Sequence, residues 1–491
     1  MPRNQINLFP PSKTIQDKTM LDHFLSTSIK AVQRCTSFDE AMRAARFLGE
    51  LCWKNSIGCY QLVDLENELV ERFAHRFESH ATTFQSESAA KAKTAYLHVL
   101  TKAYDTGGHT KVVERFIASQ ALKQSAVVVT EKAQDNTRKR LATAALGLEV
   151  FPTKLRAEDK VLRLLKKFAE TETVILHIHP NDIESAFAAN LAKRWFGTQI
   201  LFYNHADHVF SYGYACADHS LELSYFGWTL SERRGTQHIA HFVGIPLHLP
   251  EQAAASSSSS EKYFASSGSA YKFKPSQGFS FPQAAAELCQ RSGLSMVLVG
   301  PNPRRDWWWW RLRRKMGSQL RFTGKLQYQD YLNCIRQATA YIDSFPMTGG
   351  TSFSEILAQG VPCFGILTGA HGYSPADQLK SSSQTTMIED VLRFLENPQT
   401  VRDKIADLQD QVRQAHALET VAERIVHIKH HPAERQSPPW HNPVPVDTHF
   451  YEKIWQAQTL FSPPVHSRPN WKIGFAFVRL WWNKEALNNK Q

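Results

Sequence analysis

No apolar run in this chain reaches the ~18 residues that a membrane-spanning helix needs. The start, Met1-Pro2-Arg3-Asn4-Gln5, has no apolar core segment, so no secretory signal is read there. There is no CxxC pair and no Cys/His cluster at zinc spacing. The 7 cysteines are odd in number and scattered, which argues against a disulfide framework and for a reducing cytosol. A cytoplasmic location is therefore expected. No zinc finger, aromatic RNP-like strand or heptad zipper is found, so nucleic acid is not an expected partner. No segment repeats at a fixed period.

What is present is a globular composition and positive charge. The 491 residues are 42% apolar and 21% charged, enough for two to four domains with sizeable cores. The net charge of +11 suits a polyanionic substrate such as a nucleotide diphosphate, or an anionic membrane surface.

Residues 1–90 read as helical. Ser37-Phe38-Asp39-Glu40 is a capping box, followed by apolar residues at helical spacing, and a second helix is read near Leu62 to Phe77. From residue 94 the pattern alternates strand and helix. Strands are predicted near Thr94–Leu100, Ser125–Thr130, Val174–His179 and Gln199–Asn204. An Ala/Ser-rich stretch follows and reads as a linker over 251–260. A second alternating pattern begins with Lys262–Ala265 and continues through Met296–Gly300, Gln319–Thr323 and Thr339–Asp343. The fold class is thus α/β, with two Rossmann-like domains (91–250 and 261–430), the N-terminal helical extension and a 431–491 tail packing on the body.

The most informative stretch runs from Asp343 to Pro362. It reads as strand, Gly-rich turn, helix, Gly, strand. Gly349 and Gly350 allow positive φ and close backbone approach. Thr351 and Ser352 open a helix whose free N–H groups suit a phosphate. Glu355, one turn in, is placed to accept hydrogen bonds from ribose hydroxyls. The competing reading is an ordinary βα turn. A second turn, Gly107-Gly108-His109, follows the first predicted strand.

Two such halves with these two turns resemble the GT-B glycosyltransferases. Asp343-Ser344-Phe345-Pro346, Gly349-Gly350-Thr351-Ser352, Glu355 and Gly360-Val361-Pro362 look most like the O-linked N-acetylglucosamine transferases and their bacterial relatives. The resemblance covers about residues 94–380. It implies a donor-nucleotide site in the second domain and acceptor binding in the first. The Tyr271-Lys272 turn, with Ser267 and Gly268 before it, is similar to the place where that family carries a diphosphate-binding lysine. Some relatives carry a His where Gly350 stands. No tetratricopeptide array precedes the core, so that family's acceptor preference does not carry over. Retaining GT-B families often have a second glutamate eight residues earlier; here that position is Met347, which favours inversion.

The resemblance implies a UDP-sugar as co-substrate, with no metal and no other cofactor. Lys272 and the Thr351/Ser352 turn would then offset the diphosphate charge. His109 is the candidate base, since imidazole titrates near neutral pH; Gly107 and Gly108 offer backbone contacts. Asp207 is a candidate to orient or replace the base. His179, His205 and His208 are candidates for acceptor binding. His177 reads as a core residue on the same strand face as His179. The acceptor class (glycan, lipid-linked or protein) stays open. The run Trp307, Trp308, Trp309, Trp310, Arg311, Arg313, Arg314 suits a bilayer interface, or is a solvated helix with at least one indole in the core. The alternative function is a non-catalytic GT-B-shaped protein docking on an anionic membrane or polyanion, with a nucleotide-sugar epimerase as a third option.

Overall fold

The computed structural model describes residues 11–105, 108–249, 262–276, 278–458 and 460–488. Gly107 and the 251–260 stretch lie outside them. The first sheet holds β1 (Thr94–Ala103), β2 (Ser125–Ala133), β3 (Gly147–Val150), β4 (Thr171–His177), β5 (Gln199–Asn204), β6 (His219–Glu222) and β7 (Ala240–Phe242). Its order is β3-β2-β1-β4-β5-β6-β7, and every pairing is parallel. Leu97 and Val99 bury in the core on one face of the central strand β1 and Leu100 in the core on the other, so the strand is apolar on both faces, as a doubly covered parallel sheet requires.

The second sheet holds β8 (Tyr263–Ser267), β9 (Ser295–Val299), β10 (Leu320–Gly324), β11 (Ala340–Ile342), β12 (Cys363–Ile366) and β13 (Lys380–Ser381). Its order is β10-β9-β8-β11-β12-β13, again parallel throughout. Each sheet reverses its winding once, between β1 and β4 in the first and between β8 and β11 in the second. Loops leaving the carboxyl ends of those strands diverge there and open a crevice for ligands.

The N-terminal helices share one core with the first sheet. Ser37 Oγ accepts from the Glu40 N–H at 3.3 Å and caps the helix Phe38–Asn55. Phe38, Leu48 and Leu51 bury against Leu164, Phe168 and Phe187. The chain also crosses back late. Helix Leu418–His430 packs Val421, Ile425 and Ile428 against Ile175 and Leu201 on the first sheet's other face and against Phe116 of the helix Gly108–Ala118. The last helix, Trp471–Asn488, sets Ile473, Phe477, Leu480 and Trp481 into the N-terminal core. Of the tryptophan run, Trp309 is fully buried against Phe281 and Phe322, while Trp307 and Trp310 are exposed. No helix among the described residues is long and apolar enough to cross a membrane.

Candidate active site

The second domain's switch point gathers Gly268 and Lys272 from the loop after β8 and the Asp343–Gly350 turn from the end of β11. Asp343 Oδ1 accepts the Gly349 N–H at 2.8 Å. A Cβ on Gly349 would lie 2.4 Å from that oxygen, so only glycine fits. Gly350 has φ +50° and ψ −103°, and no side chain caps the helix Thr351–Ala358 that follows. Apart from the Ser352 N–H, which donates to the Gly349 carbonyl at 3.2 Å, its first N–H groups therefore keep their donors for a ligand. Ser352 Oγ donates back to the Gly349 carbonyl at 3.1 Å, and Thr351 is exposed. Lys272 Nζ donates to the Thr348 carbonyl at 2.8 Å, which brings its cation onto the same turn. Burial pushes the Lys272 pKa down, with Asp343 opposing that. Ser267 differs from its neighbours: its hydroxyl is buried and bonds Tyr341 Oη at 3.0 Å.

Beneath the turn lies a buried ion cluster. Lys380 Nζ sits 2.9 Å from Asp343 Oδ2 and 2.8 Å from Asp377 Oδ1. Asp377 Oδ2 accepts the N–H groups of Gly372 and Tyr373. Against the burial penalty, Asp343 and Asp377 together hold the Lys380 ammonium charged. The turn's geometry thus rests on a lysine some thirty residues on, which the sequence motif does not contain.

Glu355 does not stand free. Its Oε1 accepts from Arg115 Nη2 at 2.9 Å and from Tyr328 Oη at 2.7 Å. Arg115 belongs to helix Gly108–Ala118 of the first domain and also donates to the Pro246 carbonyl at 2.7 Å. Both side-chain bonds to Glu355 fall on Oε1, and a carboxylate has lone pairs for more donors on its second oxygen. Lys111, a turn earlier, lies 4.6 Å from the Tyr328 ring centroid. The helices that follow the two switch points are thereby pinned to each other.

The first domain's switch point is a histidine cluster. His98 Nδ1 and His177 Nε2 are 2.9 Å apart, and His177 Nδ1 and His205 Nε2 are 2.8 Å apart. His109 stacks on His205 with centroids 4.0 Å apart and lies 5.6 Å from His179. The strand β4 ends at His177, so His179 sits in the following turn rather than on the strand face expected for it. There Trp53 of the N-terminal helices meets it edge-on. Burial keeps these imidazoles neutral: His98 and His109 fall to about 3 and His179 to about 4. His177 and His205 drop well below their usual value, through burial and then their histidine neighbours.

The chain of imidazoles has a direction. His98 Nε2 is buried with no hydrogen-bond partner. An orphaned N–H is the rarer fate for a buried polar group, so the His98 proton belongs on Nδ1. His98 then donates to His177, and His177 donates to His205 Nε2. His205 is left holding its proton on Nδ1, where it offers a donor and no lone pair. His109 has a buried Nδ1 without a partner and is not in that chain. The arrangement separates a donor imidazole from one with an unused lone pair, but burial holds His109 at about 3, well below the near-neutral value expected of it as a base.

Asp207 and His208 complete this edge. Asp207 Oδ2 accepts from Ser224 Oγ, which caps the helix Tyr225–Arg234, so the carboxylate is tied into local structure. His208 Nδ1 is 3.3 Å from Asp207 Oδ1, and its ring lies 4.5 Å from Tyr451. Tyr451 bonds Tyr373, whose ring would be 3.5 Å from a methyl on Gly350. These tyrosines fill the space between the His208 loop and the glycine turn. Among the described residues no group of three or more His, Cys, Asp or Glu is arranged to hold a metal ion.

Sequence reasoning did not single out Arg115, Tyr328, Lys380, Tyr373, Tyr451 or His98. Asp343 was within the motif, at the end of its strand, and its position before a glycine turn was a usable signal. The others act across long sequence separations and leave no local pattern.

No family model matches this chain, and neither does any curated protein sequence. Solved structures do. HepE from Anabaena, in complex with UDP and glucose, is 11% identical, over 68% of this chain and 99% of HepE, at a TM-score of 0.52. A mutant O-GlcNAc transferase of Thermobaculum terrenum is 12% identical, over 84% of this chain and 97% of that one, at 0.48. The UDP-GlcNAc 2-epimerase of Neisseria meningitidis bound to UDP-GlcNAc is 10% identical, over 68% and 98%, at 0.45. At such identity the likeness to HepE speaks to architecture, and together with the two parallel sheets it establishes that this chain has the GT-B fold.

Proposed function

We propose that this protein is a glycosyltransferase that moves a sugar from a nucleotide diphosphate, UDP favoured, to a hydroxyl or amide acceptor. The observation that carries the reading is the pairing of the two switch points through Arg115 and Glu355. One side offers an uncapped helix N-terminus and a lysine, groups suited to a leaving diphosphate. The other offers neutral imidazoles, of which His109 stands outside the hydrogen-bonded chain and keeps a lone pair; for it to take an acceptor proton its pKa must rise from about 3 when the site is filled. The second oxygen of Glu355 suits a ribose hydroxyl. HepE was solved with UDP and glucose, which supports the choice of nucleotide. Displacement without a metal and with inversion fits cationic and helix-terminal charge stabilisation and the absence of a carboxylate at Met347.

Two measurements test this. Calorimetric titration of UDP, GDP and dTDP should find UDP the tightest; no binding by any of them rejects the reading. His109→Ala should leave UDP affinity within about twofold while lowering turnover by about 100-fold or more, the usual worth of a general base. Full turnover in that variant would move the base elsewhere.

A further inference from the structure

The last helix, Trp471–Asn488, is apolar on two sides. Ile473, Phe477, Leu480 and Trp481 face the core. Trp471, Phe475, Val478 and Trp482, spaced four, three and four residues apart, form a second stripe that the described residues leave exposed. Trp471, Phe475 and Trp482 are 75%, 71% and 71% exposed. The charged residues along that outer face are Lys472 and Arg479, both cationic and exposed, and no acidic residue lies between 471 and 482. Beside it a groove of about 270 Å³ runs between this helix and helix Pro11–Gln33. Met20, Phe24, Ala476 and Leu480 line it, with Arg479 among them.

We infer that this face is a docking surface for an anionic lipid bilayer, on which the helix lies in the interface plane. Indole and phenyl rings beside lysine and arginine are the composition of the headgroup boundary. The helix is anchored by its inner face and does not satisfy the length and apolarity of a span, so it lies on the surface and does not cross. The net charge of +11 adds a long-range attraction of the same sign. A second copy of the chain fits less well. An antiparallel two-fold pairing of this stripe would set Lys472 opposite Arg479, cation against cation, at both ends. The groove offers room for an acyl chain, with Arg479 placed for the phosphate of its headgroup. This surface is separate from the Trp307–Trp310 run, whose middle indole Trp309 is spent in the core.

The test uses the full chain and vesicles of phosphatidylcholine with or without phosphatidylglycerol, read by flotation. Binding should require the anionic lipid and weaken as salt is raised. Trp471→Ser with Trp482→Ser should lower vesicle affinity about tenfold or more, and Lys472→Ser with Arg479→Ser about as much. These side chains are exposed, so both variants should keep the parent's melting temperature. No binding by the parent chain overturns the inference. So does undiminished binding by both variants, or loss of binding only on Trp307→Ser with Trp310→Ser. A concentration-dependent dimer broken by the Trp471/Trp482 changes, with no vesicle binding, would assign the stripe to a second copy instead. Donor binding plays no part in these readings, so their failure leaves the proposed activity untouched.

Discussion

At the scale of single residues, the informative groups are those whose chemistry is set by one neighbour. The His98–His177–His205 chain is one case. If the unpartnered His98 Nε2 carries a lone pair, the imidazole ¹⁵N shifts should report protonated Nδ1 on all three rings at neutral pH. Protonated Nε2 on His205 would reverse the chain and make His205, not His109, the free acceptor. Glu355 is the other case. Its carboxylate is held by Arg115 and Tyr328 with side chains 7% to 10% exposed in the ion pair. Charge-assisted bonds of that kind are worth ~1.5–3 kcal/mol, so Glu355→Ala should weaken UDP binding roughly ten- to a hundredfold. Arg115→Met keeps the carboxylate but frees its position, and should lose about tenfold in the same titration. Wild-type affinity in Glu355→Ala would show that the glutamate is only an interdomain tie.

At the scale of elements, what sequence revealed and what it hid have physical reasons. β9 reads Ser-Met-Val-Leu-Val and β2 contains Ala-Val-Val-Val; strands buried on both faces need continuous apolar runs, and those runs are visible. The capping box at Ser37 and the glycine turn at 349–350 were legible because they are local rules of hydrogen bonding and φ. β6, β7 and β13 are two to four residues long and take their pairing from neighbours already in place, so no periodicity announces them. His179, which the alternation predicts on the strand, lies beyond its end for the same reason: where a strand stops is decided by the turn, not by the alternation. The glycine turn also depends on an element the motif omits. Lys380 on β13 neutralises Asp343 and Asp377, all three side chains being within 3% of full burial. Removing one partner of a buried ion set costs ~3–5 kcal/mol because the remaining charges stay uncompensated. Lys380→Met should therefore lower denaturant-measured stability by that order and loosen the turn that Asp343 ties to Gly349. An Asp343→Asn/Lys380→Met/Asp377→Asn triple variant should recover much of the loss; a single Lys380→Met that melts like the parent would show that the cluster is not compensated as described.

At the scale of the whole molecule, burial of histidines couples the fold to pH. His98, His177, His241 and His416 are buried in the first domain or at its seam with helix Leu418–His430. Burial lowers His98 and His416 to about 3 and His241 to about 4, and takes His177 well below its usual value. An unfolded histidine titrates near 6.5. Between those values the unfolded chain binds protons that the folded chain refuses, so stability rises with pH there. The stabilisation is complete above about pH 6.5 and is lost progressively as pH falls toward the folded values, each group adding a slope of about 1.4 kcal/mol per pH unit. Glu66 acts in the opposite sense. Its buried carboxyl is raised to about 8, so its share is present in acid and fades as pH climbs through 8. Below pH 6.5 these four histidines, with His109, His179 and His205 of the site acting in the same sense, oppose the raised carboxyls of Glu66 and Glu222, and the histidines win. Urea midpoints taken from about pH 7.5 down to about pH 5 should fall steadily, with a slope corresponding to more than one proton taken up on unfolding. His98→Leu should flatten that slope by removing one group from the coupled chain, whatever it does to the midpoint itself. A pH-independent midpoint across this window would mean that the folded protein takes up as many protons as the unfolded chain, and the neutral cluster assigned to the proton-accepting side of the site would have to be given up with it.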